Sequence, residues 1–437
     1  MDRFIMKDLH AWKASESRKP LILRGARQVG KTWILEEFGK SFSGGFVRIN
    51  FDKQPEYKQF FETTKDVKRI LENISLATGF KITKDSLVIF DEIQECPEAL
   101  NSLKYFCEDA REYYIACAGS LLGLQLAGGF PVGKVDFLNM YPMSFEEFIT
   151  ACGCGSLVDY LNRYMVNEPV LDAFKNPLTE KLKMYYLIGG MPEAVAEWTE
   201  NHDIAKVDYI LSNILTAYRA DFSKHADKSI LQKIYLVWDS IPSQLSKENK
   251  KFLYSAIKTG ARAREYESAI EWLKNADLVH KVYRISRPGL PLSSHSDLGA
   301  FKMYMLDTGL LRVQSNLASS VFTEEDRLFK EFKGALSENF VMQNLMMDYN
   351  NLYYWSDSMH EVDFIMQHEN DIIPVEVKSG ESVHSKSLGK YAKSYPEETK
   401  LCVRYSLKDC RYDGQVLNIP LYMINQTDRL IQQIYES

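Results

Sequence analysis

The sequence predicts an α/β chain: a parallel-sheet core, a helical segment, a segment of three helices and a hairpin, then a second α/β unit. Three observations carry this expectation. Leu21-Ile22-Leu23-Arg24 leads into Gly25-Ala26-Arg27-Gln28-Val29-Gly30-Lys31-Thr32, a G-x-x-x-x-G-K-T string, and Trp33 to Phe38 then reads as a helix. Leu87-Val88-Ile89-Phe90 is wholly apolar and ends in Asp91-Glu92, the pattern of a buried parallel strand whose carboxyl end faces a ligand. Much later, Glu361-Val362-Asp363 and Glu376-Val377-Lys378 space charges two apart inside short apolar runs, so each reads as a strand with a charged face.

A chain of 437 residues has room for about three domains. Its 45% hydrophobic and 26% charged residues describe an ordinary globular protein. A net charge of -6 argues against an indiscriminate nucleic-acid coat and leaves room for a local basic face. The seven cysteines are scattered; Cys152 and Cys154 have no second pair or nearby histidine to complete a zinc site, and free thiols fit a cytoplasmic protein. The segment Met1 to Asp8 lacks the apolar centre of a signal peptide, and no run is long enough to span a bilayer. Cytoplasmic location without membrane partners is therefore expected.

Met1 to Trp12 reads as a short amphipathic helix ahead of the glycine loop. Gly25 and Gly30 let the loop turn with no side chain between its amides and an anion, and the following helix adds unpaired N–H groups and a partial positive charge. Lys31 would reach β- and γ-phosphates, Thr32 would offer a hydroxyl to Mg²⁺, and the loop from Gly25 through Trp33 would wrap the nucleotide. Phe46 to Asp52 is a second strand and 60–80 is mostly helical. Asp91 would hold Mg²⁺ through water, and Glu92 would act as general base on the attacking water. Tyr113 to Ala118 is a further strand, ending at Gly119-Ser120. Ser120 fits two roles, sensing the γ-phosphate or capping the next helix. The expected cofactors are ATP and Mg²⁺.

With Gly-x-Arg-x-x-Gly-Lys-Thr, Asp91-Glu92-Ile93-Gln94, Gly119-Ser120 and Tyr141-Pro142-Met143-Ser144-Phe145-Glu146-Glu147-Phe148 in view, the chain resembles a prokaryotic AAA+-type P-loop ATPase family. Gly189-Gly190-Met191-Pro192-Glu193 and Phe301 to Leu310 extend the resemblance over essentially the whole chain. It implies an AAA+-like P-loop NTPase core over 1–150. The family usually has Gly-Arg before the Tyr-Pro stretch, where this chain has Gly133-Lys134, and often Thr where it has Ala118. A lysine cannot bridge two phosphate oxygens as a guanidinium does, so the resemblance supplies no arginine finger there.

Residues 151–228 read as a helical lid broken at Gly189-Gly190, with Arg219 either a γ-phosphate contact, in its own or a neighbouring subunit, or a surface charge. Residues 229–325 read as a winged-helix domain: a helix from Ile230 ending near Pro242, a second capped by Ser246 and running to Thr259, a third from Arg262 to Asn275, then two strands. Arg262 and Arg264 face DNA-binding work, but Glu265, Glu267 and Glu271 on the same helix would repel phosphate, so docking is favoured over base reading.

Residues 326–437 give the order α-β-β-β-α-β. This order and its charges resemble the restriction-endonuclease-like core of the Asp…Glu-x-Lys nucleases. Asp363, Glu376 and Lys378 would then form one cluster with Glu338 at its edge, able to hold Mg²⁺, with cleavage itself left open. The expected function is an ATP-hydrolysing switch or motor acting with nucleic acid such as DNA, with homo-oligomerisation allowed. The alternative is a signalling or scaffold NTPase whose C-terminal domain is an inactive binding module.

Overall fold

The computed structural model describes residues 2–120, 123, 133–247, 250–319, 330–349, 351–380 and 386–436. The chain forms two compact units, Asp2–Tyr141 with Asn275–Leu278, and Pro142–Lys274 with Val279–Ser437.

The N-terminal unit is built on β1 (Leu21–Arg24), β2 (Phe46–Asn50), β3 (Leu87–Asp91), β4 (Tyr114–Ala118) and β5 (Asp136–Asn139), in the order β2-β3-β4-β1-β5. Every pair is parallel. Parallel strands need crossovers; the helices Val67–Thr78 and Pro97–Asp109 join the neighbours β2–β3 and β3–β4, and Lys31–Gly39 carries the chain from β1 to the far edge at β2. All five residues of β3 are buried, which explains its unbroken apolar run. The helix Val67–Thr78 shows how its sequence sets its limits. Asp66 accepts from the amides of Lys68 and Arg69, Gly79 ends it in the left-handed conformation, and Val67, Ile70, Leu71 and Ile74 bury one face. All carboxyl ends point to one edge, with only β4 between the glycine-loop strand and the Asp91 strand.

The C-terminal unit holds an eight-stranded sheet, ordered β12-β13-β11-β10-β9-β8-β6-β7. Its strands are β6 (Val279–Ile285), β7 (Ser296–Met305), β8 (Tyr353–Ser356), β9 (Glu361–His368), β10 (Asp371–Val377), β11 (Cys402–Ser406), β12 (Arg411–Tyr412) and β13 (Val416–Pro420). The expected α-β-β-β-α-β order recurs as the helix Lys330–Asp348, β8, β9, β10, the helix Lys386–Ser394 and β11. The hairpin β6–β7 pairs with β8 in parallel, so one sheet runs across the expected boundary at 325.

The expected second helix, Ser246 to Thr259, is corrected. Ser246 instead ends the helix Lys228–Leu245, and among the described residues beyond it only Tyr254–Ala256 turns. The reason is local: the Gln244 side chain donates to Leu253 O (2.9 Å) and accepts from Leu253 N (3.0 Å), holding that residue extended. Pro242 does not end the first helix either. Its ring cannot donate to Trp238 O, and Gln314 Nε2 does so at 2.7 Å.

Three of the quoted motifs meet in a buried knot. The Asp307 carboxylate accepts from Gly190 N (2.6 Å), Leu310 N (3.0 Å) and Gln343 Nε2 (3.1 Å), while Met143 N donates to Gly190 O (2.6 Å). A Cβ on Gly189 would lie 2.2 Å from Asp307 Oδ1, and one on Gly190 2.2 Å from Met143 O. Ser144 and Glu147 form a reciprocal capping box, and Phe145 and Phe148 stack edge-on against Tyr185. The Tyr-Pro stretch is thus a packing device.

Candidate active site in the N-terminal unit and the acidic groups of the C-terminal unit

Gly25 sits at φ 143°, where a Cβ would fall 2.1 Å from Met140 O. Gln28 and Gly30 also take positive φ, and the helix Lys31–Gly39 starts directly after Gly30. Ala26 and Val29 are buried, and Trp33 is exposed at the start of the helix. Arg3, which the sequence did not flag, holds the loop by donating to Val29 O at 3.0 Å.

Lys31 is almost wholly buried and donates to Gly25 O (2.9 Å) and Ala26 O (2.7 Å). Burial pushes its ammonium down to about 8, against the pull of Glu92, Asp277 and Asp91. The Thr32 hydroxyl donates to Asp91 Oδ1 at 2.9 Å. Asn50 Nδ2 donates to the other oxygen, Oδ2, at 3.0 Å. Asn50 and Asp91 are register partners on β2 and β3. Glu92 takes a left-handed backbone, φ 49°, unusual for a residue with a side chain and a form of strain found at functional sites. Its Oε2 accepts from Gln94 Nε2 (2.5 Å) and Ser120 Oγ (3.3 Å). Arg27 Nε donates to Ser120 Oγ at 2.9 Å, so Ser120 links Arg27 to Glu92. The capping alternative for Ser120 involves residues outside the described ones.

The donor set suits Mg²⁺: a hydroxyl and a carboxylate oxygen meet at one point beside a buried ammonium. Asp277, from the short segment Asn275–Leu278, adds negative charge near Lys31 and Arg24. Sequence reasoning missed it because nothing local ties it to the loop. Lys134 pairs on the surface with Glu108 at 2.7 Å, and Arg219 with Asp239 at 2.5 Å.

On the C-terminal sheet the four expected residues fall into two groups. Lys302, fully buried on β7, lies 2.5 Å from Glu361 Oε1 and 3.9 Å from Asp363 Oδ1. Glu338 pairs with Lys250 and accepts from Tyr304 OH at 3.2 Å. Burial and then Glu338 push Asp363 up to about 7. Burial would raise Glu338 too, but Lys250 and Lys302 outweigh it and hold it below its ordinary value. Burial would lower the Lys302 ammonium, and Glu361, Glu338 and Asp363 reverse that.

The second group is Glu376, 2.8 Å from Lys378 Nζ and 3.9 Å from Arg404 Nε. Strand register and a bulge in β9 explain the split: Tyr353 and Trp355, two apart on β8, pair with Ile365 and Val362, three apart on β9, so the extra residue breaks the alternation at Asp363 and Phe364. Val375 lies opposite Phe364, whose ring packs on Tyr304, so Val375 faces the Glu338 side. Glu376 alternates to the other face, beside its register partner Arg404. Asp363 reaches the second group's strand by accepting from Val377 N at 2.8 Å. The expectation of one cluster is corrected accordingly. Among the described residues no three acidic, histidine or cysteine side chains converge on a cation position.

Residues 17–149 match the family described as AAA domain. Over these residues the N-terminal unit is similar to an AAA domain, and the name is used for it below. Residues 179–320 match a domain of unknown function (DUF8612), a span that crosses the expected boundary at 228, and 333–423 match another (DUF4143). No curated protein matches the chain. Among solved structures, the Walker-type ATPase of Pyrococcus abyssi is 13% identical, with 71% of this chain and 95% of that one covered and a TM-score of 0.44. AMPPCP-bound DnaA from Aquifex aeolicus is 15% identical, with 62% and 86% covered and a TM-score of 0.23. The signal transduction ATPase with a tetratricopeptide repeat sensor from Pyrococcus horikoshii is 12% identical; the chain spans 44% of it, with 78% of this chain covered and a TM-score of 0.27. Around the AAA domain and beyond it, no helix among the described residues is long and apolar enough to cross a membrane.

Proposed function

We propose that the AAA domain binds ATP with Mg²⁺ and hydrolyses it, and that the protein uses this turnover as a switch or motor. The observation that carries the reading is the 2.9 Å contact of Thr32 with Asp91 at the mouth of a glycine loop that buries Lys31. The loop amides and the Lys31 ammonium bind and orient the phosphates. Thr32 and Asp91 would hold Mg²⁺, which when bound supplies positive charge to the phosphate oxygens. Glu92 takes the proton of the attacking water at Oε2, and Ser120, held by Arg27, keeps that oxygen in place. Steady-state ATP turnover, measured with and without single- and double-stranded DNA, tests this. DNA-stimulated turnover would support action on nucleic acid, and gel filtration with ATP would test homo-oligomerisation.

For the C-terminal unit we propose a binding module rather than a nuclease. Lys302 and Lys250 pair with Glu361, Asp363 and Glu338 and offset two of the three charges, which leaves little acidic field there for a divalent cation. Incubation with plasmid and single-stranded DNA in Mn²⁺ tests it; cleavage abolished by Asp363→Asn would overturn it.

A further inference from the structure

The C-terminal unit contains a cavity of about 570 Å³ that the ATPase reading does not use. Four cationic side chains line it, Lys175, Arg404, Lys408 and Arg411, against two acidic ones, Asp409 and Asp413. This is a cationic recess in a chain whose net charge is -6.

Both acids are already engaged. Asp409 Oδ1 lies 2.8 Å from Lys175 Nζ, and Asp413 Oδ1 caps its own turn by accepting from Val416 N at 2.8 Å. With both acids so engaged, Lys408 and Arg411 have little internal compensation. Lys408 and Arg411 form no ion pair among the described residues. Arg404 Nε is buried without a hydrogen-bond acceptor, its nearest acid oxygen being Glu376 Oε2 at 3.9 Å.

The wall is also fixed in shape. Asn418 Nδ2 donates to Lys408 O (3.1 Å) and Asp409 O (3.0 Å), and its Oδ1 accepts from Ser406 Oγ (2.8 Å). That side chain holds the loop carrying Lys408 against β13. Arg404 and Arg411 stand on neighbours of the same strand. Two guanidinium groups and an ammonium around one recess suit adjoining phosphoryl groups, because each guanidinium can grip two oxygens. The volume suits a ligand of mononucleotide size.

We propose that this cavity binds a small ligand carrying two or more linked phosphoryl groups, a free diphosphate or the diphosphate of a nucleotide. Its source is distinguished by titrating the full-length Lys31→Ala chain, whose AAA domain is disabled, with pyrophosphate, with ADP and with a single-stranded oligonucleotide. Calorimetry should show binding of pyrophosphate, ADP or both. Adding Lys408→Ala and Arg411→Ala, two exposed positions, should weaken that binding about tenfold or more, since each removes a charge-assisted contact. Equal thermal melting of the variants would show that the loss is local. The proposal is overturned if neither small probe binds, if binding survives both substitutions unchanged, or if only the oligonucleotide binds, which would mark a strand-tracking surface.

Discussion

At the carboxyl edge of the AAA-domain sheet, Asp91 has a hydroxyl on one oxygen and an amide on the other, with the partly exposed Arg48 guanidinium 3.9 Å from Oδ2 and Lys31 held by loop carbonyls. On the C-terminal sheet, Asp363 has Lys302 on one oxygen and a backbone amide on the other, and its acidic neighbours are closed by Lys302 and Lys250. Similar residue types thus sit in different surroundings. Asp91 takes its two hydrogen bonds from neutral donors, and its one cationic neighbour, Arg48, is partly exposed. In the C-terminal unit two ammonium groups offset two of three carboxylates and make a structural ion cluster, whose removal in part is more damaging than its presence is stabilising.

This contrast can be broken in several ways. The largest expected effect is that of Glu92→Gln, which keeps the size and removes the base; turnover should fall about 10²–10⁴-fold with ATP still bound. Retained turnover in a quench assay would move the base elsewhere. Next is Lys302→Met, which strands Glu361 and Asp363 in a buried site. Urea unfolding should show a loss of about 3–5 kcal/mol, the range for breaking a buried pair from one side. A midpoint equal to wild type would mean that the cluster is wet and open, as a metal site would be.

A pH test follows from Lys31, whose ammonium is pushed down to about 8 from 10.5. Between those values the folded chain binds fewer protons than the unfolded one, so this group makes stability rise with pH across that window. Nucleotide affinity should move the opposite way, because phosphate takes the charged ammonium. Above about pH 8 the dissociation constant should rise by up to about tenfold per pH unit. A flat profile from pH 7 to 9.5 would deny Lys31 its role. The smallest effect belongs to Lys378→Met, which leaves the buried Glu376 with Arg404 at 3.9 Å and should cost about 1–3 kcal/mol by urea unfolding, the range for a buried acceptor losing its partner.

The AAA domain was largely legible because its chemistry is local. Gly25 to Thr32 are consecutive, and Asp91-Glu92 end one strand, so the motif and its context sit within short windows. Asn50 and Asp277 were not legible as partners of that site: one depends on the β2–β3 register, the other on a segment some 240 residues downstream that packs into this unit. In the C-terminal unit the strands and helices were readable from alternation, and Glu361 and Asp363 do meet the same lysine. The face of Glu376 was not readable, because it depends on which residue lies opposite Phe364. The motifs around Gly190 and Asp307 looked like further signatures and proved to be one hydrogen-bonded knot, where burial raises the Asp307 carboxyl and backbone donors oppose it.

Steady-state ATP hydrolysis by the full-length chain in Mg²⁺, compared with Lys31→Ala, tests the central claim most directly. The wild type should release phosphate only with Mg²⁺ present, and the variant should fall by about 10²–10³-fold or more, the scale of losing one charged contact in a transition state. Equal release by the two chains would contradict it.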